Sequence, residues 1–274
     1  TDSEKLALVL SSRFKPGERI TVWAPNIPEW LVMEYACALA GLVLVTANPS
    51  YQAKELAYVL EQSGSVALFR VASYRGNPMA EIAERAVAGL DAVREIVDME
   101  DPEAMYRPGQ QSPGLPFVRP EDAAQIQYTS GTTGRPKGIR APLPGVAIGQ
   151  ANSIAMMAEA IVGAIPGWVY LSPAPLYHAA PLRFCLGAHR LGCTVVVMER
   201  FDAEGALAAI QDHGVTWSQW VPTMFVRMLK LSDEVRAAYD LSTLVSAIHA
   251  AAPCPVDVKR RMIEWWGPVL HEYY

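Results

Sequence analysis

The densest signal in the chain is Gln127-Tyr128-Thr129-Ser130-Gly131-Thr132-Thr133-Gly134-Arg135-Pro136-Lys137-Gly138. The preceding Ala124-Gln125-Ile126-Gln127-Tyr128 alternates apolar and polar residues and predicts a short strand. The loop that follows carries three glycines, four hydroxyls, one proline and one lysine, a composition suited to cradling phosphates. Glycine lets backbone N–H groups turn toward an anion, Thr and Ser hydroxyls add donors, and Lys137 supplies a positive charge for the outer phosphates. It is not a Walker A loop, which needs four residues between its first glycine and a Gly-Lys pair followed by Ser or Thr. Pro136 lacks an N–H and is expected to delay the helix after the loop. A plain polar turn would not need so many hydroxyls and glycines together.

Composition bounds the rest. The chain has 274 residues, 51% of them hydrophobic, enough for one large α/β domain or two smaller ones. A net charge of -5 argues against a general nucleic-acid or anionic-membrane binder. Cys37, Cys185, Cys193 and Cys254 form no CxxC pair and no metal-ligand spacing, so they are expected to be reduced thiols in a cytoplasmic protein. The longest apolar run, 31–47, is interrupted by Glu34 and Gly41 and is expected to be core rather than a membrane span. Neither a signal peptide nor an internal repeat is visible.

Along the chain, predicted helices of ten or more residues alternate with short β-branched strands. Strands are expected at 19–23, 43–46, 66–69 and 93–97, with helices from Ser3 to about Phe14, from Pro28 toward Gly41, from Ala53 to Gln62 and from Pro78 to Ala88. This alternation indicates βαβ units and mostly parallel sheets. Five prolines between Pro102 and Pro120 place a sub-domain boundary there, giving expected units of 1–110 and 111–274. Beyond the loop, a helix is predicted near 146–160, strands near 168–171, 194–198, 215–219 and 245–249, and helices opening near Pro181, Ala203, Pro222 and Pro255.

Three further stretches carry candidate chemistry. Ser172-Pro173-Ala174-Pro175-Leu176-Tyr177-His178 is a loop after a strand, where open α/β sheets meet their ligands. Val215-Thr216-Trp217-Ser218-Gln219-Trp220-Val221-Pro222-Thr223-Met224 runs from a strand into a helix. His249-Ala250-Ala251-Ala252-Pro253-Cys254-Pro255 joins a strand to a helix through small side chains, against which a flat ring can lie. Each also has a plainer reading, respectively a backbone-bonded loop histidine, ordinary core and a tight turn.

Taken with the phosphate loop, these stretches resemble the adenylate-forming superfamily of acyl-CoA synthetases, luciferases and peptide-synthetase adenylation domains, from about Ser3 to Tyr274. Tyr-Thr-Ser-Gly-Thr-Thr-Gly-x-Pro-Lys-Gly is that family's signature and is complete here. The resemblance implies two stacked α/β sub-domains with mostly parallel sheets flanked by helices. It implies ATP phosphates on Thr129, Ser130, Gly131, Thr132, Thr133, Gly134 and Lys137, with Mg²⁺ at Thr129. Adenine is expected beside Ala251, Ala252 and Pro253 and the run Glu272, Tyr273 and Tyr274. His178 is expected beside the acyl carboxylate, acting with Lys137 in catalysis, and Val221, Thr223 and Met224 in the acyl pocket.

The implied reaction is the ATP-dependent activation of a carboxylic acid to an acyl-adenylate, followed by transfer to CoA. Neither 171–186 nor 215–229 contains Asp or Glu, so a substrate ammonium would lie buried and unpaired. A fatty or other plain carboxylic acid is therefore expected, as in fatty-acyl-CoA synthetases. The family's small C-terminal domain has no counterpart in the sequence, and a fragment without it is expected to associate through exposed apolar surface. Transfer to another acceptor, or nucleotide binding without catalysis, are the alternatives. One departure stands out: 139–145 reads Ile-Arg-Ala-Pro-Leu-Pro-Gly, where relatives enter a helix.

Overall fold

The computed structural model describes residues 1–110, 114–129, 137–139 and 153–273. It divides into two compact units, Thr1–Gln150 and Ala151–Tyr274. The predicted alternation of helices and parallel strands is borne out in both. The proline-rich run falls inside the first unit rather than at its border, because the strand that follows it pairs into the first sheet.

In the first unit, helix α1 (Asp2–Arg13) leads to β1 (Arg19–Trp23), α2 (Pro28–Leu39), β2 (Val43–Thr46), α3 (Ala53–Ser63), β3 (Ser65–Arg70), α4 (Met79–Val87), β4 (Glu95–Asp98), α5 (Pro102–Met105), β5 (Gln125–Thr129) and β6 (Lys137–Ile139). The sheet order is β4-β3-β1-β2-β5-β6, parallel except for β6. Thr1 caps α1 in a reciprocal pair with Glu4, where Ser3 was the expected cap. Gly64 ends α3 in the left-handed conformation. Helices cover both faces of β5: Gln125 reaches Glu34 on α2, and Tyr128 packs with Val45 and with Val59 on α3.

The second unit contains α6 (Ser153–Met157), which widens into a π-helical turn over Ala158–Val162. After it come β7 (Val169–Ser172), α7 (Ala179–Arg190), β8 (Thr194–Val197), α8 (Ala203–His213), β9 (Trp217–Trp220), α9 (Pro222–Met228), α10 (Asp233–Ala237), β10 (Ser246–His249), α11 (Val256–Trp266) and β11 (Leu270–Glu272). The sheet is all parallel in the order β11-β10-β9-β7-β8. One face, with Leu171, Trp220 and Ala247, is packed by Leu207 and Ile210 of α8, Phe225 and Met228 of α9 and Met262 and Trp266 of α11. On the other, Phe184 of α7 lies against Tyr170 and Trp217. Among the described residues, no helix is long and apolar enough to cross a membrane.

Candidate active site

The structure corrects the local reading around the signature. Lys137 lies in a strand rather than in the loop, and β6 runs antiparallel to β5 with Thr129 opposite Lys137, Tyr128 opposite Gly138 and Gln127 opposite Ile139. Gly138 permits this pairing: a Cβ there would meet Ile126 Cγ2 at 3.1 Å and Tyr128 Cζ at 3.3 Å. Thr129 and Lys137, the described residues on either side of 130–136, therefore face each other across adjacent antiparallel strands. Lys137 is exposed. Ser130, Gly131, Thr132, Thr133, Gly134 and Tyr274 lie outside the described residues, as does 140–152, where the predicted helix would begin. Gln127, one strand step before the loop, is buried with its Nε2 unpartnered among the described residues.

In the second unit, four predicted segments converge on one edge. Strands β7, β9, β10 and β11 are parallel neighbours, so their carboxyl ends lie on the same side of the sheet. After β7 comes the loop to His178, after β9 comes Val221, after β10 comes Ala251-Ala252-Pro253, and β11 ends at Glu272. His178 is the first flanking residue of α7; its N–H donates to Pro175 O at 3.1 Å and its ring leans on Tyr177, centroids 4.2 Å apart. The imidazole is exposed on its outer surface, yet the protein around it depresses its pKa through desolvation.

The small-residue turn is exposed, and Ala251 adopts a φ of 74°, a left-handed conformation that a residue with a Cβ rarely takes. Such strain clusters at binding sites. Beside it, Lys259 Nζ donates to Glu272 Oε2 at 2.7 Å, and Glu272 Oε1 lies 3.9 Å from Nδ1 of the fully buried His249. Burial holds His249 below the ordinary imidazole range and Lys259 adds to this, while Glu272 opposes it. Tyr273 donates its N–H to His249 O at 3.3 Å, and its ring lies 6.0 Å from that of Phe184.

The predicted acyl-pocket residues separate. Val221 is half-buried, Thr223 is exposed, and Met224 is buried in the core on the face away from α7, with Trp220 and Phe225. The expected grouping of Met224 with His178 is therefore not what the helix delivers, because α9 turns that side chain into the core. A cavity of about 320 Å³ instead lies beside β10 and β11, lined in part by Met157, Ile161, Ile248, Glu272 and Tyr273.

Sequence reasoning also missed a polar row on the α7 face. Tyr170, Trp217 and Ser246 are register partners on three adjacent strands, and each is buried with its polar side-chain atom unpartnered among the described residues. One strand repeat closer to the carboxyl edge, Ser172 Oγ and Gln219 Oε1 are in the same condition. The Ser172 hydroxyl influences Tyr170 and Cys185, and the Trp217 indole influences Cys193, without reaching full hydrogen-bond geometry. A buried polar atom left unsatisfied costs about 1–3 kcal/mol, and native interiors hold few of them. The alternation of Trp217 and Gln219 along β9 was the one available signal.

Among the described residues no three His, Cys, Asp or Glu side chains gather as a metal cage. The Glu272 carboxylate is already engaged by Lys259. The described residues therefore do not by themselves fit a bound Mg²⁺.

Comparison with known proteins gives the family of the chain. The chain is 31% identical to the medium-chain acyl-CoA ligase ACSF2 of Homo sapiens, over 93% of its own length and 46% of the relative's. It is 30% identical to a methyl-dioxo-octahydro-indenyl-propanoyl:CoA ligase of Rhodococcus jostii, over 93% of its length and 52% of the relative's. The chain thus spans about half the length of the curated relatives it matches. In fold it matches the N-terminal domain of FACL13 from Mycobacterium tuberculosis with a TM-score of 0.82 at 24% identity, covering 100% of this chain and 66% of that one. The model of the family described as AMP-binding enzyme matches residues 1–274, and the chain belongs to that family.

Proposed function

We propose that the protein carrying this chain is an AMP-forming acyl-CoA synthetase. A carboxylate oxygen of the acid bonds to the α-phosphorus of ATP, the bond from that phosphorus to the bridging oxygen breaks, and pyrophosphate leaves. The CoA thiol then loses its proton as sulfur bonds to the acyl carbon and AMP departs. The observation that carries this reading is the alignment of His178, Val221, the 251–253 turn and Glu272 along one carboxyl edge of a parallel sheet, in a chain of the AMP-binding family.

Each residue set has a task in this reading. Residues 129–134 and Lys137 hold the phosphates and neutralise the charge that develops as pyrophosphate leaves. Ala251, Ala252, Pro253, Glu272, Tyr273 and Tyr274 receive the adenosine, and His178 stands beside the acyl carboxylate. Val221 and Thr223 form the entrance of the acyl pocket. Mg²⁺ enters with the nucleotide, as magnesium commonly does with phosphates.

A substrate with no ammonium group follows from the missing carboxylates in 171–186 and 215–229. The names of the two ligase relatives, one medium-chain acyl and one fused-ring propanoyl, agree with a plain acid of largely apolar body, fatty acids included. The four free cysteines fit work in a reducing compartment such as the cytoplasm. The test is thioester formation by the complete protein with ATP, Mg²⁺, acid and CoA. AMP release matched by loss of free CoA thiol supports the reading, and acyl-adenylate that persists in the presence of CoA contradicts it.

A further inference from the structure

The first unit holds a cavity of about 510 Å³ at the end of its sheet opposite the signature loop. Strands β1, β2 and β5 are parallel, and Arg19, Val43 and Ile126, at or near their amino ends, line it, whereas Thr129 closes the carboxyl end of β5. The segment 116–119 forms another wall and is seated on Gly41, whose φ is 67° and where a Cβ would meet Pro116 Cγ at 3.2 Å. Arg19 is exposed, and its guanidinium has no hydrogen-bond or ion-pair partner among the described residues. Arg119, the other guanidinium in the lining, is taken up by Asp122, to which its Nη2 donates at 2.8 Å. Phe117 is 90% exposed although its neighbour Pro116 packs on the sheet, and Val43, Val118 and Ile126 continue its apolar surface around the cavity.

These residues specify an occupant. One uncommitted guanidinium matches one negative charge, and its planar fork suits a carboxylate. A polyanion such as a nucleoside triphosphate would meet a single free cation and the Asp122 carboxylate, and a neutral hydrocarbon would cover Arg19 without a counter-charge. The apolar walls and the open Phe117 ring take an apolar body, and the volume lies within the range of small-molecule pockets, about 300–1,000 Å³. We propose that this cavity is a binding site, separate from the active site, for a monocarboxylic acid with an apolar body, its carboxylate on Arg19 and its body against Phe117, Val118 and Ile126. Ile126 links the site to the nucleotide end of the sheet. The side chain that lines the cavity also packs on Gly138, where a Cβ would meet Ile126 Cγ2 at 3.1 Å, next to Lys137. The occupant therefore touches a residue that supports the strand carrying Lys137. The inference stands independently of the acyl-CoA synthetase reading, because none of the residues that hold the acid belongs to the proposed active site.

The test uses the complete protein and a decanoate probe carrying a diazirine at the end away from its carboxylate, with the photolabelled segments located by mass spectrometry. Label on 114–123 is expected, competed by excess decanoate but not by decanol or by inorganic phosphate. It is expected to fall at least about tenfold in Arg19→Gln, the scale of losing a hydrogen bond to a charged group. Phe117→Ser removes an exposed ring without touching the core and is expected to lower the same label about threefold. Label confined to other segments overturns the inference. So does label on 114–123 that persists undiminished in both variants, which marks adhesion to exposed apolar surface, or competition by decanol equal to that by decanoate, which removes the carboxylate from recognition.

Discussion

Lys259 Nζ stands 2.7 Å from Glu272 Oε2, tying α11 to the end of β11 beside the small-residue turn. Both side chains are partly exposed, so the pair contributes little to stability, about 1 kcal/mol or less. In the proposed site the pair aims the Glu272 carboxylate at the carboxyl edge. Lys259→Ala is expected to lower unfolding free energy by no more than that amount while weakening ATP binding several-fold, measured by denaturant titration and calorimetry. An unchanged ATP affinity would remove Glu272 from the nucleotide site.

His249 couples this corner to pH. Its folded-state pKa is depressed, chiefly by burial, so the unfolded chain binds the proton more tightly. The stability it contributes is present above the unfolded value of about 6.5 and is lost as pH falls below it. Denaturation curves between pH 8 and pH 5 are expected to show stability falling toward acid, with a shallower fall in His249→Gln. An equal slope in both proteins would exclude His249 as the source.

Glu34 has the opposite sign. Burial pushes its carboxyl up to about 7, although Gln125 Nε2 donates to it at 3.1 Å. It is protonated in the fold where the unfolded chain would ionise, so its contribution is full below the ordinary glutamate value and is lost as pH rises through about 7. Glu34→Gln keeps an acceptor for Gln125 and is expected to stabilise the first unit at pH 8 by roughly 2–4 kcal/mol, and by less at pH 5. A loss of stability at pH 8 would show that the carboxylate has a charged role there.

Much of the fold was legible because local and tertiary preferences agree. Period-two runs such as Arg19–Trp23 and cap residues such as Gly64 mark their elements directly. Where they conflict, the sequence misleads. Pro102 looked like a breaker but opens α5, because proline suits the first helical turn and Asp101 caps it. Lys137-Gly138-Ile139 has little strand character of its own and is a strand because β5 offers it an edge. The carboxyl-edge segments were readable as motifs, one after each strand. Met224 was misplaced because the rotation of α9 is set by the core. The polar row was hidden because its members come from three strands and meet only through register.

The φ of 74° at Ala251 predicts a simple gain. Ala251→Gly relieves the left-handed strain at the cost of extra chain entropy, for a net stabilisation of about 0.5–1 kcal/mol in denaturant titration. A loss would show that the Ala251 methyl makes contacts worth more than the strain.

The most direct measurement is acid-dependent exchange of labelled pyrophosphate into ATP by the complete protein, compared with Lys137→Ala. The account predicts exchange that requires a carboxylic acid and falls at least about a hundredfold in the variant, the scale of losing one stabilising group at a developing charge. ATP binding without exchange for any acid, or exchange undiminished in Lys137→Ala, would contradict it.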